Sequence, residues 1–190
     1  MARRRTRHIL VFSGILLFIV VWTVLLSIYS PQQIVDWLGM TNSYLVAFFL
    51  AVAGAIASIT PFSTYPAVYT MASGGVNAFV LVPLVAIGMT AGDFIFIAFG
   101  LSARELLSEK ILDKLERLLD WLESKPKFFV QAFIFVWVGF LPIANNLLTA
   151  PLAMTGFPIK KLTPPLVLGN MMLPALLALA GVYGLGVEVV

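Results

Sequence analysis

Apolar residues fall in long runs that are interrupted by prolines and by one charged stretch. Ile9–Ile28 carries no charge. At about 1.5 Å per residue it matches a bilayer core of about 30 Å, which predicts a membrane helix over 9–28. The run is too long for the apolar region of a signal peptide, and Ser27-Ile28-Tyr29-Ser30 is a poor cleavage site, so the helix is expected to stay as an anchor. Pro31–Asn42 is more polar and reads as an external segment, with Trp37 and Tyr44 at the interface. Ser43–Ile59 is apolar again and meets Thr60-Pro61. Phe62–Ser73 then covers only about 18 Å before Gly74-Gly75, too short to cross. It is also polar, with Ser63, Thr64, Tyr65, Tyr69, Thr70 and Ser73. Pro61 and Pro66 leave carbonyls without helical partners, which lipid cannot satisfy but a protein-lined cavity can. The pattern predicts a re-entrant hairpin over 43–75, followed by a span over 77–100.

Ser102–Lys125 changes character. Ser102-Ala103-Arg104-Glu105 reads as a capping box, and Leu107, Ile111, Leu115, Leu118, Leu119 and Leu122 recur at helical spacing between charges. The prediction is an amphipathic connector over 102–125, in water or on the membrane surface. Phe128–Leu141 is again a short apolar run ending at a proline, Pro142. Asn145, Asn146, Thr149, Pro151 and Thr155 follow, then Lys160-Lys161 and a last span over Leu162–Leu185.

The two halves share a grammar. Shifted by 81 positions without a gap, Pro61 falls on Pro142, Ala72 on Ala153, Gly75 on Gly156, Leu81 on Leu162, Pro83 on Pro164, Gly88 on Gly169 and Gly100 on Gly181. Apolar matches arise from composition, whereas shared Pro and Gly positions constrain backbone shape. Residues 43–101 and 128–185 are therefore expected to be two copies of one hairpin-plus-span unit.

Composition sets the class. The chain is 61% hydrophobic and 11% charged, with mean hydropathy +1.00, too apolar for a soluble domain of 190 residues. An all-α, multi-pass membrane protein with a single membrane domain follows. Placing the N-terminus inside puts all 12 Lys and Arg on the cytoplasmic side, as positive charge requires. The two units then have opposite orientation, and their hairpin tips should meet near the midplane. Net charge is +3, but the basic residues flank membrane segments, so no nucleic-acid partner is expected. Membrane lipids are the expected surroundings, and a homodimer suits so small a chain.

Candidate chemistry is sparse. Asp93 is the only acidic or basic side chain inside the predicted spans and hairpins. A charge at bilayer depth costs about 2.5–3.5 kcal/mol on insertion scales, so it commonly faces a cavity. It could serve as a proton or cation site, as a polar partner for the opposite hairpin, or as a capped structural acid. Ser63, Thr64 and Tyr65 follow Pro61, while Asn145 and Asn146 follow Pro142; under the 81-residue shift Thr64 meets Asn145 and Tyr65 meets Asn146. Broken helices present free carbonyls and half-helix ends suited to an ion or polar headgroup, or these side chains could simply satisfy hairpin backbone. Asn170, beside Gly169, could bond across helices. Pro61, Pro66, Pro142 and Pro151 are the expected helix breakers. The glycines, Gly88 and Gly92 included, are expected at packing and turn positions. The sole histidine, His8, is in the basic tail, there is no cysteine, and only one acid lies at depth. No membrane-embedded dyad, metal site or cofactor site is expected, and an enzyme is not.

Thr60-Pro61-Phe62, Ala72-Ser73-Gly74, Gly92-Asp93, the charged 112–117 stretch, Gly139-Phe140-Leu141-Pro142 and Met154-Thr155-Gly156 resemble the DedA/VTT (SNARE-associated) membrane family over about 36–185. The resemblance implies paired re-entrant hairpins with inverted symmetry, in a prokaryotic cytoplasmic membrane. It also implies proton-dependent transport, phospholipid scrambling or lipid-carrier flipping. Where that family tends to carry an acid after the first prolines, this chain has Pro66-Ala67-Val68. Gly139 and Asn145 stand at two positions where the family tends to have arginine. Gly169-Asn170 is also similar to the small multidrug export proteins. The expected function is a transporter or a scramblase- or flippase-like protein acting on a lipid or small solute. The alternative is a non-transporting scaffold that docks a partner through the connector.

Overall fold

The computed structural model describes residues 21, 24, 28–103, 113, 116, 117, 120–122, 124–141, 145–154 and 156–184. The anchor predicted over 9–28, most of the connector over 102–125, and Pro142 at the second helix break lie outside these residues. The elements are α1 (Pro31–Leu38), α2 (Met40–Ala57), α3 (Thr60–Ser73), α4 (Ala78–Ala103), α5 (Lys127–Phe140), α6 (Asn146–Met154) and α7 (Ile159–Tyr183). No strand occurs among the described residues. Among the described residues three helical stretches are long and apolar enough to cross a membrane: Met40–Ala57, Ala78–Ala98 and Ile159–Tyr183. The protein is thus an all-helical membrane protein.

Local chemistry explains the boundaries. The external segment contains a helix, α1, because Ser30 and Gln33 form a reciprocal capping box with Pro31 in the first turn. Gln32 Nε2 donates to Ser73 O at 2.8 Å and holds α1 against the end of α3. α2 ends where Ser58 adopts φ 59°, with Ile59 N–H bonded back to Gly54 O at 2.9 Å. α4 starts at an Asn77 cap, whose Oδ1 accepts from Phe79 N–H at 2.9 Å. Ser102, expected as the cap of the connector, is helical within α4, and the rest of that capping box, Arg104 and Glu105, lies outside the described residues.

Small residues bring the helices together. Gly88 and Gly92 of α4 lie against Ala51 and Ala55 of α2; a Cβ on Gly92 would sit 2.5 Å from Val52 O and 2.6 Å from Ala55 Cβ. This is close packing through small residues four apart. The matching order of these contacts makes α2 and α4 parallel. In the other half, Gly169 of α7 meets Val138 and Gly139 of α5. α4 and α7 run antiparallel: Leu81 and Ala178 share one apolar cluster, Ile97 and Leu162 the other. α3, with 14 residues or about 21 Å, lies between α2 and α7. Gly54 makes room for Ser63 and Thr64 on one side, and Gly181 for Tyr69 and Ser73 on the other. α2 stops nearly level with Gly92, where Ile56 N would be 3.3 Å from an added Cβ, whereas α4 continues for about 16 Å more.

The 81-residue correspondence recurs in the backbone. Gly75 and Gly156 have φ of 91° and 87°. Val76 N–H bonds Met71 O at 3.0 Å, and Phe157 N–H bonds Leu152 O at 3.1 Å, so both turns carry the same glycine C-cap. Two apolar cores result. One joins α1, α2, α3, the start of α4 and the end of α7 around Met71, Leu81 and Val85. The other joins the later part of α4 with Leu122, α5, α6 and the start of α7 around Ile134, Leu152 and Leu166.

Candidate functional site

A polar layer separates the two cores. Asp93 lies one turn from Met89 in the first core and one turn from Ile97 in the second, and is 1% exposed. Asn170 is fully buried at the middle of α7, about 16 Å from its start and about 20 Å from its end. Because α4 and α7 are antiparallel, the two side chains meet. Asn170 Nδ2 donates to Asp93 Oδ2 at 3.0 Å and to Thr90 Oγ1 at 3.1 Å. Asn145, just before α6, donates through Nδ2 to Asn170 Oδ1 at 2.8 Å and to Asp93 Oδ2 at 3.3 Å. The predicted residues Asp93, Asn145 and Asn170 thus form one buried network, which joins α4, α7 and the entry to α6.

This network tolerates a carboxylate through amide donors alone. Among the described residues Asp93 has no ion-pair partner. The predicted residue Tyr65, on α3, is buried in the first apolar core and makes no hydrogen bond to the network. Thr90 was not anticipated from sequence. Its hydroxyl also donates to Ala86 O at 2.8 Å within α4, and a threonine able to satisfy itself on its own helix gives no cue to a second partner.

Asn146 occupies a second contact. Its Nδ2 donates to Ala55 O at 2.7 Å and to Ser58 Oγ at 2.8 Å, so the start of α6 is tied to the turn between α2 and α3. Asn146 Oδ1 is buried without a hydrogen-bond partner. The start of α6 therefore approaches the turn between α2 and α3. Ser63 and Thr64, also predicted as site residues, bond backbone instead: Ser63 Oγ to Ile59 O at 3.2 Å and Thr64 Oγ1 to Leu50 O at 3.1 Å. They stabilise the α2–α3 pair and are not joined to Asp93.

The prolines fall as follows. Pro61 is in the first turn of α3, whereas Pro66 and Pro151, expected as breakers, lie inside α3 and α6 and end neither helix. An internal proline removes a backbone donor and frees a carbonyl one turn back. α6 has only nine residues, about 14 Å, and buries Asn146, Leu148, Thr149, Ala150, Leu152 and Ala153. Most of this helix is covered by protein, with Leu147 exposed, and cover by protein is what lets broken backbone be tolerated. Among the described residues no group of three or more His, Cys, Asp or Glu side chains gathers. Comparison of the chain with protein-family models, with curated proteins and with solved structures finds no match.

Proposed function

We propose that this protein moves a lipid, lipid carrier or small polar solute across a membrane, as a transporter or a scramblase- or flippase-like protein of the DedA/VTT type. The observation that carries the reading is the buried Asp93–Asn145–Asn170 network, made by helices of both halves at mid-depth and lacking a cationic partner among the described residues. A charge in that position is expensive to hold and commonly marks a proton or substrate path. In this reading α2–α3 and α5–α6 are re-entrant hairpins, and α4 and α7 are the spans of an inverted repeat. Parallel α2 and α4, the opposite direction of α7, and the paired glycine caps support it. Although α2 is long enough to cross, its end level with the middle of α4 favours re-entry.

Alternating exposure of the polar layer would require the hairpin tips to separate at the Asn146–Ser58 and Asn146–Ala55 contacts. The membrane is the prokaryotic cytoplasmic membrane, with a cytoplasmic N-terminus. Reconstitution into vesicles tests the proposal, with fluorescent phospholipid exposure and proton-driven solute uptake as readouts. Wild type is expected to show one of these activities and Asp93→Asn to lose it. Equal rates in both proteins would remove Asp93 from the mechanism, and inactivity of wild type alongside a partner captured through the connector would favour the scaffold.

A further inference from the structure

A cavity lies at the end of the second core away from Asp93. Its volume is about 310 Å³, and Leu122, Lys125, Lys127, Val130, Phe157 and Lys161 line it, together with Gln131. Three of these side chains are cationic, and none of the described lining residues is acidic. Lys125 Nζ sits 5.4 Å from the centre of the Trp121 ring, which helps hold its ammonium in place.

Two helices begin at this cavity. α5 starts at Lys127 after Pro126, and α7 starts at Ile159 after Pro158. Neither start has a side-chain cap or an acidic residue in its first turn. The first N–H groups of both helices lack intrahelical acceptors and carry the positive ends of the helix dipoles. Positive potential from the lysines and from both helix ends therefore converges on one volume. Apart from Gln131 its remaining walls are apolar, and the neighbouring Phe128 is 82% exposed, as suits an aromatic residue at a membrane interface. A soluble anion would have no use for that apolar rim, whereas a lipid presents a phosphate and a chain together.

We infer that this cavity binds the phosphate headgroup of an anionic phospholipid, at the seam between the connector and the second half of the protein. Lys125, Lys127 and Lys161 contact the phosphate, while Leu122, Val130 and Phe157 flank the glycerol. The site shares no residue with the Asp93 network, so it stands or falls separately from the transport proposal.

Titration of the purified full-length protein with dihexanoyl-phosphatidylglycerol, dihexanoyl-phosphatidylcholine and inorganic phosphate, followed by native mass spectrometry, tests this. The anionic lipid is expected to bind roughly tenfold tighter than the zwitterionic one, and the difference should shrink with added salt. The triple variant Lys125→Gln, Lys127→Gln, Lys161→Gln should lose the preference, and the corresponding triple arginine variant should keep it. If the glutamine variant fails to fold, Lys161→Glu serves, because Lys161 is exposed in the first turn of α7. Equal binding of the two lipids by wild type, binding of inorganic phosphate as tight as that of the anionic lipid, or an undiminished preference in either variant that removes positive charge would overturn the inference.

Discussion

Replacing Asn170 by leucine tests the central network most directly. The two side chains have the same heavy-atom branching, so the change removes hydrogen bonds without leaving a cavity, although the two methyl groups are bulkier than the amide. Three are lost: to Asp93 at 3.0 Å, to Thr90 at 3.1 Å, and from Asn145 at 2.8 Å. Interhelical hydrogen bonds in membranes average about 0.6 kcal/mol and reach about 1.7 kcal/mol. Three of them give roughly 2–5 kcal/mol. The upper part of that range is expected, because the loss leaves a buried carboxylate with a single weak donor, Asn145 at 3.3 Å. Thr90 contributes least, since its hydroxyl keeps its bond to Ala86 O. Unfolding in bicelles followed by steric trapping reads the free energy. A double-mutant cycle with Asp93→Ala, which removes the acceptor, isolates the pair, and a coupling of about 1 kcal/mol or more is expected for residues in direct contact. A destabilisation below about 0.5 kcal/mol, or a coupling near zero, would refute the claim that the network holds α4 against α7.

Asp93→Asn should separate stability from function: folding is unchanged or improved, because a buried charge is removed and the isosteric amide can rotate its oxygen toward the same donors, while vesicle activity falls to background. Gly92→Leu should cost at least about 1–3 kcal/mol in the same unfolding assay, because even its Cβ would lie 2.5 Å from Val52 O; tolerance would mean that α2 and α4 do not pack there. Gly75→Ala and Gly156→Ala should each cost about 1 kcal/mol through their positive φ alone, since an added Cβ meets nothing within 4 Å at either position. In a chain without cysteine, Asn77→Cys and Lys125→Cys should react with impermeant maleimide from opposite sides of the membrane; labelling from one side would end the proposed orientation of the repeats.

Much of the site was readable residue by residue. Asp93, Asn145 and Asn170 stand out because each is a polar side chain in an apolar run, and such a residue needs a partner. Their mutual pairing was not readable, because the bonds join positions 25, 52 and 77 residues apart. Ser63 and Thr64 look equally polar along the chain, but their hydroxyls are taken by nearby carbonyls. α1 carried a legible cap, Ser30 with Gln33, within a stretch read only as an external segment. Ser102 carried the same kind of signal but lies within the last turn of α4.

The sequence by itself determined the all-helical membrane class and the 81-residue glycine spacing that reappears as paired caps at Gly75 and Gly156. These follow from solvent preference and backbone sterics, which act locally. Only the tertiary structure decided that α4 and α7 run antiparallel with Asp93 and Asn170 at the same depth, and that Asn146 reaches the turn after α2. Those facts depend on which small residues let which helices approach, and the register of that packing is a property of surfaces in contact, not of any one segment.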